Sequence, residues 1–200
     1  MAVAEDMKQR IAGLVSNVLN PFVVCLGVIL VVSFESAAGT GEAVKWTLLT
    51  SAFSLLPLLL MVIWLTRRGR LDGVLVASRR QRRALYAAAI VSTTAGYLTL
   101  HYLAAPSMLL AAFGGGLATT VVFMAINRWW KISLHAALPA GMAAVLVMLY
   151  GAAGVAAVLP VLVIGWSRVE LGHHSPAQTV AGGVLAGVMA VVFFGVFGLL

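Results

Sequence analysis

The stretch PAQTVAGGVLAGVMAVVFFGVFGLL, from Pro176 to Leu200, carries no charged side chain. A helix that crosses a bilayer needs roughly 20 consecutive apolar residues, so this segment reads as a transmembrane span. Working toward the N-terminus, comparable charge-poor runs lie near Val155 to Trp166, Ser133 to Tyr150, Ser107 to Ile126, Ala84 to Tyr102, Trp46 to Thr66 and Ser16 to Ser36. Val155 to Trp166 is short, and spans only by continuing through Ser167 and Arg168 or by taking in Ala152 to Gly154. The expected fold class is therefore all-α: a polytopic integral membrane helix bundle of six or seven transmembrane helices, forming a single domain over residues 1–200.

Composition points the same way. The chain is 62% hydrophobic and 10% charged, with a mean hydropathy of +1.05, too apolar for a soluble domain and leaving no room for a separate one. A formal charge of +7 does not make nucleic acid an expected partner, because in so apolar a chain basic residues set topology and meet phosphate head groups. Cys25 is the only cysteine, so neither a disulfide nor a thiolate metal site is expected, and it reads as a small core residue. Glu5, Asp6, Lys8 and Arg10 precede an apolar run too long for a signal-peptide core, which makes an uncleaved first helix the expectation. Gly114 to Gly116, Gly141 with Gly151 and Gly154, and Gly183 with Gly187 fit close helix packing.

With seven spans, every one of the 13 Lys and Arg residues except Lys45 falls on one face. The positive-inside rule makes that face cytoplasmic. Polar residues at membrane edges are costly and mark function by default, and three segments of this face concentrate them. One is the basic loop containing Arg67, Arg68, Arg70, Asp72, Arg79, Arg80, Arg82 and Arg83, a topology determinant or a set of guanidinium forks for phosphate. The next is Asn127-Arg128-Trp129-Trp130-Lys131-Ile132-Ser133-Leu134-His135. Its tryptophans suit an interface anchor, and Lys131 and His135 would share a helix face if the helix began at Lys131.

The third segment is Ser167-Arg168-Val169-Glu170-Leu171-Gly172-His173-His174-Ser175-Pro176-Ala177-Gln178. Ser175-Pro176 reads as the N-cap and first residue of the last span, which puts His174 beside a helix N-terminus, where an anion is favoured. Gln178, one turn on, is in reach of the His174 ring. Paired histidines can bind a metal, but no Asp or Cys completes a set and Glu170 is the sole carboxylate nearby, so no metal is expected. No nucleotide-binding loop, haem motif or zinc signature occurs, and no cofactor is implied. His101, at the far end of the third span, reads as structural or interfacial.

The spacing Ser167-Arg168, five residues, His174, three residues, Gln178 resembles the third signature of the type 2 phosphatidic acid phosphatase superfamily, Ser-Arg-x5-His-x3-Asp. Ile132-Ser133-Leu134-His135 looks like a degenerate form of the second signature, Pro-Ser-Gly-His. Together they cover the C-terminal third of the chain. The first signature, Lys-x6-Arg-Pro, has no clean counterpart; Arg79, Arg82 and Arg83 are the candidates, with Arg128 and Lys131 as substitutes. Gln178 in place of Asp is similar to the dolichyl-diphosphatase branch, which turns the expected substrate toward polyprenyl phosphates or diphosphates.

The resemblance implies a metal-independent lipid phosphatase. His174 would attack phosphorus to form a phosphohistidine, His135 would protonate the departing lipid oxygen and then activate water, and Arg168 would complete the catalytic set. Lys131, Ser133, Arg79, Arg82, Arg83 and Arg128 would bind phosphate, and Gln178 would orient His174. The partners implied are a lipid phosphate substrate, phosphatidate-type or polyprenyl, and the bilayer of a bacterial or archaeal cell. The rival expectations are an anion or lipid transporter, which would place charges near mid-span, and a non-catalytic lipid-binding protein in which Gln178 and Leu134 mark lost activity.

Overall fold

A computed structural model describes residues 2–69 and 79–200, with side chains described over 5–69 and 81–200. Within these the chain is all helical: α1 (Ala2–Val18), α2 (Pro21–Ser36), α3 (Thr40–Ser54), α4 (Leu56–Arg67), α5 (Arg79–Tyr102), α6 (Ser107–Ile126), α7 (Leu134–Tyr150), a 3-10 turn (Gly151–Ala157), α8 (Val158–Glu170) and α9 (Pro176–Val196).

Helix breaks follow local chemistry. Asn20 precedes Pro21 and so is pushed out of the helical region, to φ −68 and ψ 156. Its Oδ1 accepts from the backbone N–H groups of Phe22 and Val23 at 3.0 and 3.1 Å, capping α2. The single first helix expected from the sequence is therefore a pair, α1 and α2, bent by 41°. The sixth expected span also changes. Gly151 takes φ +57, a conformation that favours glycine, and turns the chain back after α7. Gly154 then lies so close to α7 that a Cβ on it would sit 2.2 Å from the carbonyl oxygen of Leu146. The tight 3-10 turn delays the helix start from Val155 to Val158, and α8 runs past Trp166 to Glu170.

Among the described residues four helical stretches are long and apolar enough to cross a membrane: Thr40–Arg67, Ser107–Ile126, Leu134–Glu170 and Pro176–Val196. Counting the bent pair as one span makes five. The expected six or seven exceed this, because α5 is not in the set and α7 with α8 forms one apolar stretch that the turn at Gly151 folds into a hairpin.

α9 is the central helix, packed against α7, α6 and α8, while α1 lies along α8. Gly183 of α9 meets Ala140 of α7, and Gly114 and Gly115 of α6 receive Phe193 of α9. These contacts match the close-packing reading, whereas Gly116, Gly151 and Gly187 face open space. One core cluster gathers Val32, Trp46, Leu100, Leu109, Val145 and Phe194. A second, around Tyr86, Phe123, Ile132, Ala137 and Ala186, lies next to the polar segments that open α7 and α9. Burial on this scale contributes about 1.5–3 kcal/mol for each large apolar side chain taken from water, and in a bilayer the packing of small residues replaces much of that drive.

Candidate active site

The hairpin of α7 and α8 returns the chain to its starting level, so that residues 131–135 and 167–178 meet. After α8, the loop folds back on itself: the carbonyl of Arg168 accepts from the backbone N–H groups of both His173 and His174, at 3.1 and 3.2 Å. Gly172, at φ +66, permits that reversal. Ser175 then caps α9 in a full capping box, its Oγ accepting from Gln178 N–H at 3.2 Å while Gln178 Oε1 accepts from Ser175 N–H at 3.3 Å. The N-cap role expected for Ser175-Pro176 is thus present.

That box also fixes His174. Gln178 Oε1 lies 3.1 Å from His174 Nδ1, and the backbone oxygen of Lys131 lies 3.3 Å from the same nitrogen. Both neighbours are acceptors, and the Lys131 carbonyl cannot flip. One tautomer is consistent with them: Nδ1 carries the proton and donates, and Nε2 presents its lone pair.

Lys131 is not on a helix. It would have shared a face with His135 had the helix begun at Lys131, but residues 131–133 are non-helical and α7 starts at Leu134, next to the expected start at Ser133. The segment is held by Ser133 N–H donating to Gln178 O at 3.3 Å, and a Cβ on Gly182 would come within 2.5 Å of the Ser133 carbonyl oxygen. A side chain at 182 would push α9 away. From this position Lys131 Nζ reaches the His173 carbonyl at 2.9 Å, so the two segments are tied in both directions.

Arg168 is 1% exposed. Its Nη1 donates to Ser16 Oγ of α1 at 2.8 Å, and neighbouring Ser167 Oγ donates to the Ala12 carbonyl at 2.6 Å. Arg82, near the start of α5, directs Nη1 toward the Ile132 carbonyl at 3.4 Å. Arg168 and Lys131 form no ion pair with a carboxylate among the described residues, where the ion pairs are Arg10–Asp6 and Lys45–Glu42. Glu170, the nearest acid in sequence, does not compensate them. Ser133 Oγ, His135 Nε2, Arg168 Nε and His173 Nδ1 are buried without hydrogen-bond partners. Each such atom costs about 1–3 kcal/mol, and a cationic cluster with several of them suits a ligand that is anionic and rich in acceptors.

Charge crowding acts on the groups at the helix ends. His174 is held down to about 4 by burial, then by Arg82, Lys131 and Arg168, with the Gln178 bond working weakly in the other direction. Burial and the cations Arg168, Lys131 and Arg82 likewise lower His173, and burial with Arg82 and Arg168 lowers Lys131. His174 is thus neutral at ordinary pH, and a neutral imidazole is the nucleophilic form.

No protein-family model, curated protein or solved structure matches the chain.

The expected site residues divide cleanly. His135, His174, Arg168, Lys131, Ser133, Gln178 and Arg82 come together. Arg83 and Arg128 are exposed, with no described contact to this cluster; a run of bases in sequence does not say which face turns inward. The Arg79 side chain lies outside the described residues. Among the described residues no three His, Cys, Asp or Glu side chains gather as metal ligands. Sequence reasoning missed Ser16, which is 1% exposed, and the Lys131 carbonyl. A long-range contact and a backbone atom leave no local signature.

Beside the cluster a cleft of about 740 Å³ opens between α4 and the corner of α1 and α2, lined by Phe22, Val23, Leu59, Val62 and Ile63, with Arg67 among its polar residues and His135 reaching it.

Proposed function

We propose that this protein is a membrane-embedded lipid phosphatase of the type 2 phosphatidic acid phosphatase kind, working through a phosphohistidine on His174. The observation that carries the reading is the His174 ring itself, with Nδ1 bonded to two carbonyl oxygens and the Nε2 lone pair free, set in a cluster of cations.

In this reading Nε2 attacks phosphorus in line with the ester oxygen, the N–P bond forms as the P–O bond breaks, and the lipid oxygen leaves with a proton from His135. Water, deprotonated by His135, then attacks the phosphohistidine, releasing phosphate and restoring the imidazole. Arg168, Lys131 and Arg82 hold the non-bridging oxygens, since phosphoryl transfer depends on positioning and charge stabilisation. Ser133 adds a hydroxyl donor. The developing positive charge on His174 is stabilised by the Gln178 oxygen less than a carboxylate would stabilise it, which sets a moderate turnover. The cleft at His135 takes the hydrocarbon chain of the departing lipid, with polyprenyl phosphates or diphosphates and phosphatidate-type lipids as the substrate class.

Counting α5 as a span and α7 and α8 separately gives seven crossings and puts the site on the face rich in Lys and Arg, toward the cytoplasm. The test is phosphate release by detergent-purified protein from phosphatidate, phosphatidylglycerophosphate and polyprenyl mono- and diphosphates, with EDTA present. Release lost in His174→Ala supports the reading and ranks the substrates. Absence of release on every lipid, or release indifferent to His174, sinks it and favours a transporter or a lipid-binding scaffold.

A further inference from the structure

We infer that Ser16 is a positioning residue for the anion site: its hydroxyl sets the pose of Arg168 while leaving the guanidinium charge free for a phosphoryl group. The inference rests on the functional reading above and extends it to α1, a helix outside every segment that the sequence singled out for chemistry.

Arg168 has a long, flexible side chain, yet it is 1% exposed, and its described side-chain bond is the one to Ser16 Oγ, at 2.8 Å across 152 positions of sequence. A buried guanidinium needs its donors satisfied and its rotamer fixed. Ser16 itself is 1% exposed and Ala12, one turn earlier, is fully buried. Ser167 Oγ bonds to the Ala12 carbonyl at 2.6 Å. Two hydrogen bonds one turn apart on α1 therefore fix the register of that helix against the end of α8. The opposite stripe of α1, Met7, Ile11, Leu14 and Val18, is exposed, so the buried seam of this helix is devoted to the Ser167-Arg168 pair.

The chemistry of the acceptor matters. A carboxylate at position 16 would hold Arg168 more tightly but neutralise it, and would compete with phosphate for the same fork. A hydroxyl is neutral. It accepts one N–H, and Arg168 Nε remains without a partner in the protein, available to an incoming oxygen.

The experiment uses the detergent-purified full chain and measures inorganic phosphate binding by calorimetry alongside lipid-phosphate turnover and thermal midpoint. Ser16→Ala is expected to weaken phosphate binding and raise KM by about tenfold, the scale of a lost bond to a charged donor, with kcat and thermal midpoint changing less. Ser16→Thr, which keeps the oxygen, restores most of the affinity. Ser16→Asp keeps Arg168 bonded but abolishes phosphate binding. Equal phosphate affinity in wild type and Ser16→Ala overturns the inference, as does a loss in Ser16→Ala that tracks the thermal midpoint and is not restored by Ser16→Thr. Wild type that hydrolyses lipid phosphate while Ser16→Ala is unaltered defeats this inference alone. Wild type that binds phosphate but hydrolyses nothing, with binding weakened in Ser16→Ala, defeats the phosphatase reading alone. Wild type that binds no phosphate defeats both.

Discussion

The two ends of the bundle treat charge in opposite ways. Where α2 and α7 finish, Tyr150 donates to Glu35 at 2.6 Å, and Lys45 of α3 pairs with Glu42 at 2.7 Å. These side chains are solvent-facing and mutually satisfied. At the other end, where α7 and α9 begin, Arg168 and His174 are buried, Lys131 is half-buried, and Arg168 and Lys131 lack a carboxylate partner among the described residues. A fold seeking only stability would arrange its charges as the first end does, because burying an unpaired cation costs several kcal/mol. The second end leaves Arg168 and Lys131 without carboxylate partners among the described residues, an arrangement that suits an anionic ligand and on which the proposed function rests.

His174→Ala breaks the comparison most severely. Turnover should fall by more than about ten-thousandfold, with the helical content in circular dichroism unchanged, since the ring lies at a helix entry and not in either core cluster. His135→Ala follows, with a loss of about a hundred- to ten-thousandfold, the range of a general acid, most marked for substrates with poor leaving groups. Gln178→Ala should cost about tenfold, the scale of one bond to a ring that becomes charged. Gln178→Asp sharpens the same point: a carboxylate against Nδ1 favours the charged ring, so the acid limb of kcat/KM should move to higher pH than in wild type. At the opposite end, Lys45→Ala should change activity undetectably and stability by less than about 1 kcal/mol.

Stability against pH separates the two ends as well. His174 sits at about 4 in the folded protein, below the ordinary histidine value near 6.5, so between these values the unfolded chain binds more protons than the folded one. Its contribution is therefore complete above pH 6.5 and is lost as pH falls toward 4. Thermal midpoints in detergent should decline across that window, and His174→Gln should flatten the decline.

Much of this was legible in the sequence where the chemistry is local. Ser175-Pro176-Ala177-Gln178 announces a helix start, and the capping box that forms there is what puts the Gln178 oxygen on His174. The Ser167-Arg168 and His174 spacing places both residues at one loop, since a single reversal at Gly172 joins them. Other features depend on contacts between distant segments. The span expected from Ser133 starts at Leu134 with Ser133 as its N-cap, but the Ser133 N–H bond to Gln178 O, which ties the segment before α7 to α9, needs a partner that only the folded chain supplies. The choice of Arg82 over Arg83 depends on which face of α5 meets Ile132. The clamp from Ser16 to Arg168 joins the two ends of the sequence, and nothing in the residues around Ser16 announces it. Span counting was least secure where the chain bends, at Asn20 and Gly151, since hydropathy averages over a window and does not see a reversal.

The most direct test is to trap the covalent intermediate. Purified protein mixed briefly with a lipid phosphate radiolabelled on phosphorus, then quenched in base, should carry a label that is stable to alkali, released by acid and mapped to His174. The account predicts that label in wild type and none in His174→Ala. A wild type that releases phosphate with no acid-labile label, or with the label on another residue, would contradict it.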